Sequence, residues 1–219
     1  MKTKHLRLMQ RAYVILFFCF MYLPIAYMIV FSFNQSKGYA LFTGFTLKWY
    51  RSLFTNASIL HALWVAVEVA LISAVFATAH GTAASRGIAS MSRKSRLVIT
   101  NITYIPVVNP EIITGISLML LFVAYQRFSE GVSCLPDTIM GMPTLLIAHI
   151  AFYVPYVIFN VTPKLKQLDI KLYEAALDLG CDPRQACFKV ILPEISPAIL
   201  SAFLICLTYS IDDFMISYF

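Results

Sequence analysis

Charge is scarce in this chain. Of its 219 residues only 13% are Asp, Glu, Lys or Arg, against 59% apolar, whereas soluble domains carry about 25% and about 45–50%. With a mean hydropathy of +0.75, that balance excludes a large water-soluble domain and points to a bilayer. Cysteine is present but sparse, at Cys19, Cys134, Cys181, Cys187 and Cys206. No two of these have metal-ligand spacing, and only Cys134 falls on the side of the membrane where disulfides persist, so no disulfide framework is expected. His80 and His149 have no second ligand at useful spacing, so no metal is expected. A phosphate-binding G-x-x-x-x-G-K-[ST] loop is also missing, which excludes a nucleotide site of that type on this chain.

What is there is long apolar runs. Five of them read as spans, at about 12–33, 59–80, 97–125, 143–161 and 197–219, against the ~20 residues a transmembrane helix needs; the third is too long for one straight span. The first is longer than a signal-peptide core of about 7–15 residues and no A-x-A site follows, so it reads as an anchor. Pro106 and Pro110 in the third predict a kinked or locally unwound helix, with two half-spans as an alternative. Residues 1–219 therefore read as one transmembrane domain, an all-α polytopic bundle. Thirteen of the 17 Lys and Arg residues lie in 1–11, 81–96 and 162–196, which places those segments and the N-terminus in the cytoplasm. This topology accounts for the net charge of +6 without nucleic acid as a partner. An odd number of spans leaves Phe219 outside or within the membrane, the first hint of a missing sixth span.

Between the last two spans lies a stretch of soluble character, "EAALDLGCDPRQACFKVILPE" (174–194). Asp169 is a suitable N-cap for a helix over "IKLYEAALDL", and Gly180 stands where a left-handed residue is needed after it. Asp182 caps a second helix, with Pro183 at its first position and Gln185 at the third. Pro193 is expected to stop that helix, and Ser196–Pro197 to launch the fifth span. Leu172, Leu179 and Phe188 are more apolar surface than a lone hairpin can bury. Such a surface calls for a partner, or for packing beneath its own bundle.

The spacing Glu174-Ala175-Ala176, Gly180, Val190, Leu192-Pro193 resembles the signature of permease subunits of ATP-binding-cassette importers, in the cytoplasmic loop where that family carries it. "IPVVNPEIITGISLMLLF" (105–122) and "SIDDFMISYF" (210–219) further resemble the second permease subunit of spermidine/putrescine importers, over nearly the whole chain. The resemblance implies a type I importer permease bundle with six spans, of which five are present. It also implies that the hairpin couples to a separate ATPase. Glu174 would meet polar groups of that ATPase, Ala175 and Ala176 would allow close approach, and Gly180 would give the turn. The implied partners are an ATPase dimer that binds the ATP, a second permease subunit, an extracellular or periplasmic substrate-binding protein and the lipid membrane. The chain itself would be a transport subunit without enzymatic activity or cofactor. For the absent sixth span the alternatives are a truncated, non-transporting copy or a helix supplied by a neighbouring chain.

Four carboxylates lie within the spans: Glu68, Glu111, Asp212 and Asp213. Each costs a few kcal/mol there unless paired or hydrated, and no Lys or Arg shares the spans. Glu68 lies ~14 Å deep from the outer end of its span and Asp212 ~22 Å from the inner end of its own. Asp212 and Asp213 point about 100° apart on a helix and need not serve one site. Trp64 shares a face with His61 and Glu68. Spaced carboxylates and aromatic faces suit a polyamine cation, so Glu68, Glu111, Asp212, Asp213, Trp64 and Tyr209 form the candidate substrate path. Bundle hydrogen bonding and helix contacts are the plainer reading of the same carboxylates. Another substrate of the same importer class, or an ion-coupled secondary transporter using Glu68 and Glu111, are the alternatives in function. "TLKWYRSLF" (46–54) reads as a short amphipathic helix on the outer surface.

Overall fold

The computed structural model describes residues 2–129, 141–213 and 215–218; Cys134 lies outside the described residues. Among them the fold is helical, with one isolated bridge between Asn34 and Phe45. Contacts group the chain into 1–63 and 64–219, and among the described residues five helices are long and apolar enough to cross a membrane.

In the first unit, α1 (Lys2–Ser32) exposes every described side chain from Met9 to Val30. A helix apolar all round is one that lipid or other protein must cover. Asn34 then organises the loop that follows. Fully buried, it donates Nδ2 to the carbonyls of Gly38 (3.1 Å) and Leu41 (2.8 Å), while its Oδ1 accepts from the Thr43 amide (2.8 Å). Its own carbonyl accepts from Trp49 Nε1 at 2.8 Å, which ties the loop to α2 (Lys48–Thr55). This short helix corresponds to the amphipathic segment expected at 46–54.

The second unit takes in most of α3 (Ala57–Ser90), α4 (Arg93–Val108), α5 (Glu111–Ser129), α6 (Met142–Gln167), α7 (Ile170–Asp178), α8 (Pro183–Ala186), α9 (Leu192–Asp212) and α10 (Met215–Tyr218). Its core is α6, whose Phe152, Tyr153, Val157 and Val161 are buried with Ala74 and Ala77 of α3 and with Ile195, Ala202 and Cys206 of α9. Small residues let α3 approach closely. At Gly81 an added Cβ would lie 2.5 Å from Val157 Cβ and 3.2 Å from the Val154 carbonyl oxygen.

Two runs differ from the spans expected. The stretch 97–125 is two helices, because Pro110 lacks an amide for the ladder and drives Asn109 into an extended conformation. The last run is one helix only to Asp212; Asp213 is extended and starts α10 by accepting from the Ile216 amide at 2.9 Å. Pro193, expected to stop the hairpin's second helix, does not. A π-helical turn over Cys187–Ile191 joins α8 to α9, with the Leu192 amide bonded to the Cys187 carbonyl. That five-residue register gives the chain the extra residue that lets Pro193 enter near the start of α9 without breaking the rod.

The Gly81 contact predicts that Gly81→Ala lowers stability by about 1–3 kcal/mol through overpacking. Gly87→Ala, where a Cβ meets nothing within 4 Å, should not lower it; unfolding of both variants in detergent reads the difference.

Candidate functional site

Two places carry functional side chains. At one end the hairpin forms as its capping residues dictate: Asp169 accepts from the Lys171 amide (3.0 Å) and Asp182 from the Gln185 amide (2.6 Å). Gly180 takes φ +86°, a conformation that favours glycine. Glu174 and Ala175 are exposed, whereas Ala176 is 6% exposed and packs inside the hairpin. Its small side chain therefore serves internal packing, not an open surface. Val190 and Leu192 are half-buried and Pro193 is exposed. Leu172, Leu179 and Phe188 are 46%, 86% and 67% exposed, so the bundle does not cover the apolar patch beside Glu174.

At the far end of α6 lies a buried polar chain that the sequence reading missed. His149, 1% exposed, places Nδ1 2.8 Å from Ser210 Oγ, which in turn lies 3.2 Å from Ser73 Oγ on α3. His149 Nε2 is 3.4 Å from Ser217 Oγ and 4.0 Å from Asp213 Oδ2. Tyr153 donates its hydroxyl to the same Asp213 oxygen at 2.9 Å. The carboxylate judged to lack a basic partner thus has a histidine and a phenol beside it, and the histidine read as solitary is the hub. The available signal was their spacing: His149 and Tyr153 stand four residues apart and share a helix face.

From this buried chain an aromatic series leads outward. Tyr153 is followed by Tyr156, half-buried, with ring centroids 6.4 Å apart, then by Tyr209, 49% exposed and edge-on to Tyr156 at 5.4 Å. The Glu111 carboxylate is exposed in the first turn of α5. The structure therefore brings together two of the six path candidates, Asp213 and Tyr209, through Tyr153 and Tyr156. Asp212 is exposed at the end of α9 but joins no described hydrogen bond or ion pair, and Trp64 and Glu68 stand apart on an exposed face of α3. Among the described residues no cluster of His, Cys, Asp and Glu could hold a metal.

This arrangement of membrane helices around a protruding hairpin has known counterparts. Residues 81–219 match the family described as the inner membrane component of binding-protein-dependent transport systems. The chain belongs to this family of transport permeases. It is 33% identical over 207 residues to the putrescine transport system permease PotI of Escherichia coli (strain K12), covering 94% of this chain and 72% of that protein. It is also 32% identical over 213 residues to the spermidine/putrescine permease PotC of the same strain, covering 97% and 76%. A crystal structure of a bacterial ABC transporter that imports the polysaccharide alginate superimposes with a TM-score of 0.75 at 18% identity, covering 96% of this chain and 74% of that one; the match shows the fold. The permease is thus a multi-pass membrane protein and a transport subunit, not an enzyme.

Asp213 held by Tyr153 predicts that Tyr153→Phe and Asp213→Asn each cost about 1–2 kcal/mol. Together they should cost less than the sum; a double-mutant cycle of denaturant unfolding in micelles measures it.

Proposed function

We propose that this permease forms half of the pore of an ATP-driven polyamine importer, with spermidine or putrescine as its cargo. The observation that carries this reading is the graded aromatic face of Tyr156 and Tyr209 beside the buried Tyr153–Asp213 pair, with the Glu111 carboxylate exposed at the start of α5. A polyamine alternates ammonium groups with methylene segments. Carboxylates meet the first, while aromatic faces accommodate both, through cation–π attraction and apolar contact. Similarity to PotI and PotC over more than nine-tenths of the chain supports the same cargo. A second permease subunit would supply the opposite wall of the pore, and a substrate-binding protein would deliver cargo from outside.

The distribution of Lys and Arg supports a cytoplasmic N-terminus and hairpin. There Glu174, Ala175, Leu179 and Phe188 would seat in an ATPase dimer, which binds the ATP. Gly180 shapes the turn, and Val190, Leu192 and Pro193 anchor the hairpin to α9. Glu68, Trp64 and Asp212, apart from the graded face, would contact cargo only where the second subunit closes over them.

Two measurements test this. Cells that depend on this importer should lose uptake of labelled spermidine and putrescine when the gene is removed. Glu111→Gln with Tyr209→Ala should raise the half-saturating concentration by about tenfold, the loss of roughly 1.4 kcal/mol; unchanged uptake overturns the assignment. Separately, Leu179→Asp with Phe188→Asp, or Glu174→Arg, should abolish co-purification of the ATPase while leaving the permease in the membrane. Retention of the ATPase overturns the coupling role.

A further inference from the structure

The His149 ring is a buried titratable group that neither the coupling hairpin nor the exposed aromatic face uses. Its side chain and that of Asp213 are 1% and 4% exposed. The hydroxyls that run from Ser73 to this ring fix where its hydrogen stands. Ser73 donates to the Ala70 carbonyl at 3.2 Å, and a serine hydroxyl has one hydrogen to give. In its 3.2 Å contact with Ser210 it can therefore only accept, which commits the Ser210 hydrogen to Ser73. Ser210 is left with lone pairs alone for His149, so the 2.8 Å bond between them is donated by Nδ1. A neutral imidazole with its hydrogen on Nδ1 has a bare lone pair at Nε2. Here that atom lies 4.0 Å from Asp213 Oδ2 and 3.4 Å from the Ser217 hydroxyl.

Nε2 and Oδ2 are thus two acceptors with no hydrogen between them, and an imidazole changes charge between about pH 5 and 8. The other titratable groups beside it are the phenols of Tyr153 and Tyr156 on α6 and the Cys206 thiol of α9, which donates to the Tyr153 carbonyl. Phenols and buried thiols hold their protons in that range. From α3 and α10 come the hydroxyls of Ser73 and Ser217, whereas Glu68 and His80 of α3, Glu111 and Arg127 of α5 and Asp212 of α9 are exposed. We infer that His149 Nε2 and Asp213 Oδ2 together bind one proton from solvent, and that this proton regulates the cation face. The exposed Ser217 hydroxyl gives it a way in. Once on Nε2, it makes the ring an imidazolium that donates toward the carboxylate and cancels its charge. Asp213 keeps its bonds from Tyr153 and the Ile216 amide throughout. Tyr209 stands four residues before Asp213, and an uncompensated carboxylate in low-dielectric surroundings attracts an ammonium group there more than a neutralised pair does. Proton and cargo therefore oppose each other, each lowering the affinity for the other by the same factor, and cargo entering the face returns the proton to solvent. The regulation rests on the polyamine reading above; the proton site does not.

Nitrogen-15 solid-state spectra of histidine-labelled permease, assembled in a bilayer with unlabelled partner subunits, test the site. The His149 ring is recognised by the loss of its signals in His149→Gln. At about pH 8 it should carry its hydrogen on Nδ1, and by about pH 5 it should be imidazolium; Asp213→Asn should keep it neutral throughout. A hydrogen on Nε2 at the higher pH, or a ring still neutral at the lower pH in the unmodified importer, overturns the proton site. Uptake of labelled spermidine by the same importer in proteoliposomes tests the regulation, with His149→Gln, which keeps a donor for Ser210 but takes no proton, as the reference. Relative to that variant, the half-saturating concentration of the unmodified importer should climb about tenfold over the same fall in pH. Parallel pH profiles in the two overturn the regulation. An importer that carries no polyamine overturns the reading above instead, and the nitrogen spectra still decide the proton site.

Discussion

Hydrocarbon offers no water to a polar group, so a buried imidazole or carboxylate of a membrane bundle is costly until another protein group bonds it. In this permease that constraint is met largely in one place. His149 and Tyr153 on α6 reach Ser210, Ser217 and Asp213, and Ser210 reaches Ser73 on α3. The chain fixes how the ends of α9 and α10 lie against α6, and with them the positions of Tyr209 and Asp213. It works because the helices come close elsewhere: without a glycine at position 81, Val157 would hold α3 off α6, and Ser73 could not reach its partner.

The cation face is a gradient, not a pocket. Asp213 and Tyr153 lie inside, Tyr156 at the boundary, Tyr209 and Glu111 at the surface. Its buried end is already satisfied by protein donors, and its exposed end is not. In the half-pore proposed here, that asymmetry would leave the outward groups available to cargo while the inward ones keep their geometry without it.

Much of the fold was legible in the sequence because its determinants are local. Long apolar runs marked the helices, Asp169 and Asp182 marked two N-caps, and Gly180 its turn, while Pro106 and Pro110 marked a kink with two half-spans as the alternative, of which the structure takes the second, at Pro110. What escaped notice depends on residues far apart along the chain. Asp213 is separated from Tyr153 by 60 residues and Ser73 from Ser210 by 137, so no window of sequence could pair them. A reading confined to Lys and Arg as counter-charges passes over the phenol that bonds this carboxylate and the histidine 4.0 Å from it. Pro193 was misread for a different reason: a proline stops a helix of regular register, and a π turn over Cys187–Ile191 changes the register just before it.

That unbroken passage has a mechanical meaning. From Pro183 to Asp212 the backbone is helical without a gap, a strut of ~44 Å with the hairpin at one end and the Tyr209–Asp213 corner at the other. An unbroken helical backbone carries displacement along its axis. It passes a push at one end on as tilt or translation, and the π turn is where it is least stiff. If the hairpin and the cation face have the roles proposed above, force applied to the one would arrive as displacement of Tyr209 and Asp213 at the other, the handle and the jaw of a single tool.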